Sequence, residues 1–129
     1  MEEKIQNDII DKRQDECIFC KISKGEIPAK KVYEDDFAVA FYDIQPLAKI
    51  HVVVIPKKHV NNILEYEDNE IDNHILLHMN KVIKIIVKQL GIDKTGFRVV
   101  TNTGKDAGQT VFHQHFHILG GENVEKVGM

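Results

Sequence analysis

Residues 110–119 read Thr-Val-Phe-His-Gln-His-Phe-His-Ile-Leu, placing a histidine at every second position: His113, His115 and His117. Successive side chains of a β-strand point to opposite faces. A strand over 110–119 therefore sets the three imidazoles on one face and Phe112, Gln114, Phe116 and Ile118 on the other. The second face is mainly apolar and is expected to pack on a core. The first is a row of titratable rings. A chain carrying this segment is committed to a sheet with one covered face and one chemically armed face.

Three readings of the imidazole row stand side by side. It can be an incidental polar face, a three-histidine metal site, or a nucleophile flanked by rings that orient it and neutralise negative charge. Imidazole suits the last role because it titrates near neutrality and serves as nucleophile, base or acid. Spacing alone does not separate the metal from the nucleophile. The preceding loop favours an anionic ligand, since Gly104 and Gly108 permit close backbone approach and Gln109 and Thr110 add donors. Exposed amides in such a loop can form an anion-binding concavity. It is not a Walker loop, because the Gly-Lys-Ser/Thr end is missing and a strand follows.

The rest of the chain supplies the partners that this strand needs. A short helix over residues 17–24 stops at Gly25. Strands are expected over 31–34, 37–42, 51–55 and 97–103, with a turn at Asp35-Asp36 and Pro56 closing the third strand. Between them, residues 68–90 carry Ile71, Ile75, Met79, Val82 and Ile86 at steps of three and four, the mark of an amphipathic helix. Short helix, three strands, long helix, two strands is an α+β order with a mainly antiparallel sheet.

Composition narrows the function classes. The 129 residues suit one domain, and a formal charge of −3 argues against a dedicated nucleic-acid binder. It leaves room for a small anion held by local groups. No apolar run reaches membrane-spanning length; the stretch 83–87 is interrupted at Lys84 and bounded by Lys88. Residues 1–16 are charged, lack the apolar core of a signal peptide, and read as a flexible extension ahead of a domain over 17–129. The expected location is the cytoplasm, with or without the nucleus. Cys17 and Cys20 have a spacing that suits metal binding, redox chemistry or plain burial. His74 and His78, at helical spacing, read as surface or boundary residues, and Lys57 and Lys58 as a solvated turn. His51 opens the third strand, within reach of a hydrogen bond toward the histidine row.

His113-Gln114-His115-Phe116-His117-Ile118-Leu119 resembles the His-x-His-x-His motif of the histidine triad (HIT) family, with Gln114 a polar departure in the first spacer. Ile27-Pro28-Ala29-Lys30, Glu34-Asp35-Asp36, Ala40-Phe41-Tyr42-Asp43-Ile44, Val54-Ile55-Pro56-Lys57-Lys58-His59 and Gly108-Gln109-Thr110-Val111 are similar to the Hint branch, the histidine triad nucleotide-binding proteins. The similarity runs from Cys17 to Gly121.

The resemblance implies a HIT-like fold: a five-stranded, mainly antiparallel sheet with one long and one short helix, extended across a homodimer. It implies a purine nucleoside phosphoramidase that cleaves the P–N bond of adenosine or guanosine 5′-monophosphoramidates through a nucleotidyl-histidine, with no organic cofactor. His115 matches the nucleophile, and His117 and His113 its catalytic companions. Asn102, Gly108, Gln109 and Thr110 match the phosphate cradle, Thr110 standing where the branch has Ser. Asp43 matches the ribose ligand, and Ile18, Phe19, Ile22, Phe41 and Ile44 the apolar slot for the base. Relatives that keep both cysteines imply a structural Zn²⁺ on Cys17, Cys20, His59 and His113. The C-terminal tail helps form Hint sites, often with an aromatic residue that residues 122–129 lack. Two other readings remain: a dinucleoside polyphosphate hydrolase or nucleotidyl transferase of the wider family, and a nucleotide-binding regulatory scaffold with incidental turnover.

Overall fold

The computed structural model describes residues 16–129. The extension expected over 1–16 thus lies, Glu16 apart, outside the described residues. A short helix α1 (Ile18–Ser23) opens the fold, followed by strands β1 (Lys31–Glu34), β2 (Ala38–Tyr42) and β3 (Ile50–Pro56). Helix α2 (Glu70–Gln89) crosses to β4 (Phe97–Val100), and β5 (Phe116–Gly120) closes the sheet. The strand order is β1-β2-β3-β5-β4, and every neighbouring pair is antiparallel.

Local chemistry explains where these elements start and stop. The Cys17 thiol caps α1 by accepting the Cys20 amide, and Gly25 leaves the helix at φ +79°. Asp35 Oδ1 accepts the amides of Phe37 and Ala38 at 2.8 and 2.9 Å, which turns β1 into β2. Asn69 caps α2 through the Asp72 amide.

The sheet has two different faces. Ala38, Ala40, Val52, Val54 and Ile118 meet Ile75, Met79, Val82 and Ile86 of α2 in the larger core. Truncating one of these, such as Ile86→Ala, costs about 2–5 kcal/mol. The opposite face carries Val39, Phe41, Val53 and Ile55, packed with Ile22 and Phe19 of α1. Alternation then fixes the rest. His51 lies opposite Leu119 and Val53 opposite His117 in the β3–β5 ladder, so both histidines stand on the α1 side. The long helix therefore serves as a support, and the chemistry sits on the other face.

Three expectations are corrected. The last strand begins at Phe116, not at Thr110. Residues ahead of it leave the ladder because Gln114 donates its amide to Val60 O, while the buried Gln114 side chain bonds Tyr66 Oη and Thr101 Oγ1. Phe112 is consequently 59 % exposed and plays no part in the core. On β4 the ladder stops at Val100, short of the expected 103, because Thr101 Oγ1 donates to His115 O instead. Lastly, Lys57 and Lys58 are not a solvated turn: Lys57 pairs with Glu34 at 3.1 Å, and Lys58 meets the buried Asp72 at 2.5 Å. No helix of the described residues is long and apolar enough to cross a membrane.

Candidate active site and adjoining cysteine–histidine cluster

His115 sits at the bend where the irregular segment enters β5. Its Nδ1 lies 2.6 Å from the carbonyl oxygen of His113. A carbonyl can only accept, so Nδ1 carries the proton and Nε2 keeps its lone pair. Burial lowers the pKa of this ring below that of an ordinary histidine, which favours the neutral, nucleophilic form. Phe19 of α1 stands edge-on to it, 5.1 Å between centroids.

The neighbouring rings form a directed chain. The Leu47 amide donates to His51 Nδ1 at 3.1 Å, so the His51 proton is on Nε2. That nitrogen is 2.9 Å from His117 Nδ1 and 3.4 Å from Asp43 Oδ2. His117 Nδ1 must accept, which leaves the His117 proton on Nε2 as a donor. Burial, reinforced by the adjoining His115 and His51 rings, pushes His117 down to about 4. His115 and His117 are neighbours, 4.8 Å apart and nearly perpendicular. One ring thus offers a lone pair and the next an N–H. The expected link from His51 to the histidine row is present.

These rings line a cleft of about 220 Å³ with Phe19, Asp43, Val53, Asn102, Gly108, Gln109, Thr110, Val111 and Met129. Six of the ten expected nucleotide-site residues are there. The other four are not: Ile22 and Phe41 are buried behind the cleft in the α1-side core, Ile44 is 95 % exposed, and Ile18 faces a separate hollow. Sequence reasoning missed Val53, Val111 and Met129. Strand alternation from His51 marks Val53; the resemblance points to the C-terminal tail but not to Met129 itself. The loop also differs from expectation. The amides of Gly104, Ala107, Gly108 and Gln109 all donate within the loop, so they form no open concavity for an anion. The Gln109 side chain is a brace, bonded to Gly104 N, Asn61 O and Val111 O.

Behind the cleft, Cys17, Cys20, His59 and His113 bring one donor atom each to within 4.8 Å of one another. His113 Nδ1 lies 3.3 Å from Cys17 Sγ and 3.5 Å from Cys20 Sγ, and His59 Nδ1 lies 3.4 Å from Cys20 Sγ. Donors about 2.0–2.3 Å from a tetrahedral Zn²⁺ are separated by about 3.5 Å. The tautomers fit as well. His113 Nε2 faces Pro56 O at 2.7 Å and His59 Nε2 faces Asn61 Oδ1 at 3.0 Å, so both rings hold their proton away from the sulfurs. The Cys20 thiol, then the His113 ring, hold the Cys17 thiol down at about 3, against the effect of burial. The residues fit a four-coordinate metal. Asp43, His51 and His117 also cluster. There the Leu47 bond fixes the His51 proton on the nitrogen that faces the other two, leaving that ring no lone pair for an ion.

A family model for the HIT domain matches residues 24–124. The chain belongs to the HIT-domain family. An uncharacterised HIT-like protein of Methanocaldococcus jannaschii is 50 % identical over 103 residues, 80 % of this chain and 77 % of the relative. A HIT family hydrolase from Clostridium thermocellum is 43 % identical with a TM-score of 0.79, covering 90 % of this chain and 96 % of that one. A histidine triad nucleotide-binding protein from Candida albicans is 39 % identical with a TM-score of 0.72, over 79 % and 72 % of the two chains. In this HIT domain the triad is no longer a simple strand face. His113 turns inward to the cysteines, and only His115 and His117 reach the cleft.

Proposed function

We propose that this HIT protein is a Hint-type purine nucleoside phosphoramidase. The observation that carries the reading is the His115 tautomer: the His113 carbonyl holds the proton on Nδ1 and leaves Nε2 as a lone pair in a cleft. In the proposed first step Nε2 attacks the α-phosphorus, a P–Nε2 bond forms and the P–N bond to the amine breaks. The bound phosphoryl anion offsets the burial that keeps His117 neutral, and His117 gives the departing nitrogen its proton. Water then attacks the phosphorus and gives a proton to His117 as the P–Nε2 bond breaks, releasing AMP or GMP and restoring both rings. Thr110 and the His117 N–H supply donors for the phosphoryl oxygens. Asp43 lines the cleft, with Oδ1 accepting the Gln45 amide and Oδ2 3.4 Å from His51 Nε2, and is the residue that would take a ribose hydroxyl. Cys17, Cys20, His59 and His113 would hold a structural Zn²⁺, which would pin α1 to the active segment. The protein works as a homodimer.

Turnover of adenosine 5′-phosphoramidate by wild type and His115→Ala tests the reading. The expected result is AMP release by the wild type and none by the variant, with AMP still bound. A folded wild type that leaves this substrate intact overturns it. Comparable kcat/KM on a dinucleoside polyphosphate moves the assignment to that leaving group.

A further inference from the structure

The two thiols of the cysteine–histidine cluster are unequally placed. Cys20 is fully buried, whereas Cys17 stays partly open and borders a hollow of about 350 Å³ that neither Cys20 nor His113 lines. Their sulfurs lie within 4.8 Å of each other. They are the two cysteines of the chain, so no third thiol competes for either. An accessible thiol backed by a buried one suits a pair in which the first is oxidised and the second resolves it.

The cluster also has something to transmit. The buried His113 ring turns Nδ1 to both sulfurs, at 3.3 and 3.5 Å, while its carbonyl fixes the proton of His115 on Nδ1. We propose that Cys17 and Cys20 are a reversible oxidation site, and that forming their disulfide gives up the metal and unfastens His115. The oxidant is hydrogen peroxide or another small hydroperoxide, reaching Cys17 through the hollow. The Cys17 thiolate attacks the peroxide: an S–O bond forms, the O–O bond breaks and hydroxide leaves. The Cys20 thiolate then attacks the Cys17 sulfur: the S–S bond forms, the S–O bond breaks and a second hydroxide leaves. The two sulfurs lose two electrons in all, and the peroxide gains them. Sulfurs drawn together to about 2.0 Å are no longer thiolate donors. The two remaining ring nitrogens, on His59 and His113, are too few for a structural Zn²⁺ site. His113 Nδ1 is then a buried acceptor without a partner, a costly state that movement of the ring relieves. The carbonyl that orients His115 belongs to the same residue and moves with it. The inference rests on the metal-cluster reading and gives that cluster a control function.

The test uses the full chain, loaded with zinc, freed of reductant and titrated with hydrogen peroxide. Three signals are expected to rise together: a Cys17–Cys20 disulfide in peptide mass maps, zinc released to a metallochromic dye, and loss of the Nδ1-protonated form of His115 in long-range nitrogen–proton spectra. None of them needs a substrate. Phosphoramidate turnover falls about tenfold, as loss of an orienting partner implies. Dithiothreitol and zinc together reverse every change. In Cys20→Ser the Cys17 sulfenic acid has no resolving partner and is trapped by dimedone. Zinc retained with both thiols reduced, sulfinic acid on Cys17 in place of the disulfide, or a disulfide that leaves the His115 tautomer unchanged overturns the proposal. A chain that takes up no zinc overturns it together with the cluster reading and leaves the phosphoramidase reading intact. The three signals without any phosphoramidate turnover support the oxidation site and remove the phosphoramidase.

Discussion

The carbonyl oxygen of His113 accepts the Nδ1–H of His115 at 2.6 Å, while the His113 ring turns its own Nδ1 to the sulfurs of Cys17 and Cys20. One residue therefore joins the cysteine–histidine cluster to the nucleophile. Its ring fixes where its backbone lies, and its backbone fixes the tautomer next door. Phe19, edge-on to both His113 and His115, repeats the link from α1.

Removing the cluster should therefore affect both stability and catalysis. The purified protein is expected to carry about one zinc ion per chain. Cys20→Ser should lose it and melt on the order of 10 °C lower, because metal binding contributes directly to folding. Its kcat should fall more than its KM rises, since His115 loses its orientation while the rest of the cleft remains. Metal analysis, thermal melts and kinetics on one preparation decide this. Full metal content in the variant would contradict it.

Acid should weaken the fold through His117. Burial, then the adjoining His115 and His51 rings, bring this ring down to about 4, whereas in the unfolded chain it titrates near its usual value of about 6.5. Between those values the unfolded chain binds the extra proton, so stability rises with pH. The stabilisation is full above the unfolded value and is lost as pH falls toward 4. Urea denaturation at pH 7 and 4.5 should show a larger drop for wild type than for His117→Asn, which can still accept from His51. Identical drops would contradict the assignment.

Much of this could be read from residues alone, and the failures have physical causes. The His-x-His-x-His spacing, the Cys-x-x-Cys pair and the α2 stripe each follow a fixed period, and both helices formed close to their expected bounds. What period-two reasoning could not foresee was competition for hydrogen bonds. Gln114 found partners in Val60, Tyr66 and Thr101, which pulled residues 110–115 out of the strand and left Phe112 in water. Lys58 gave no local sign that α2 would bring a buried carboxylate against it, because Asp72 lies 14 residues away.

That Lys58–Asp72 pair yields a stability prediction. Asp72 is buried, with Oδ1 on Lys58 and Oδ2 accepting the Glu67 amide at 2.8 Å. Lys58→Met strands a buried carboxylate and should cost about 3–5 kcal/mol. Adding Asp72→Asn should recover part of the loss, because the amide oxygen still accepts while the charge is gone. Denaturant titrations of the single and double variants measure the coupling. Additive costs would show that the two side chains do not act as a pair.

Assembly is the last expectation that the fold makes specific. β4 ends the strand order, so one of its sides has no neighbour among the described residues. Edge strands are ordinarily blunted by charge, bulges or a covering element. This one instead shows Phe97 and Val99 at 40 % and 39 % exposure, beside an apolar groove lined by Leu76, Ile83, Val87 and Phe116. A second copy related by a two-fold axis presents the same patch, and two β4 strands pairing antiparallel would continue the sheet while covering the groove. Val99→Lys places a charge at the centre of that contact and points it away from the sheet face that carries the cleft. Size-exclusion chromatography with light scattering should give a dimer for wild type and a monomer for the variant, with unchanged far-ultraviolet circular dichroism. A monomeric wild type at tens of micromolar, or a dimer that tolerates the lysine, would place the contact elsewhere or remove it.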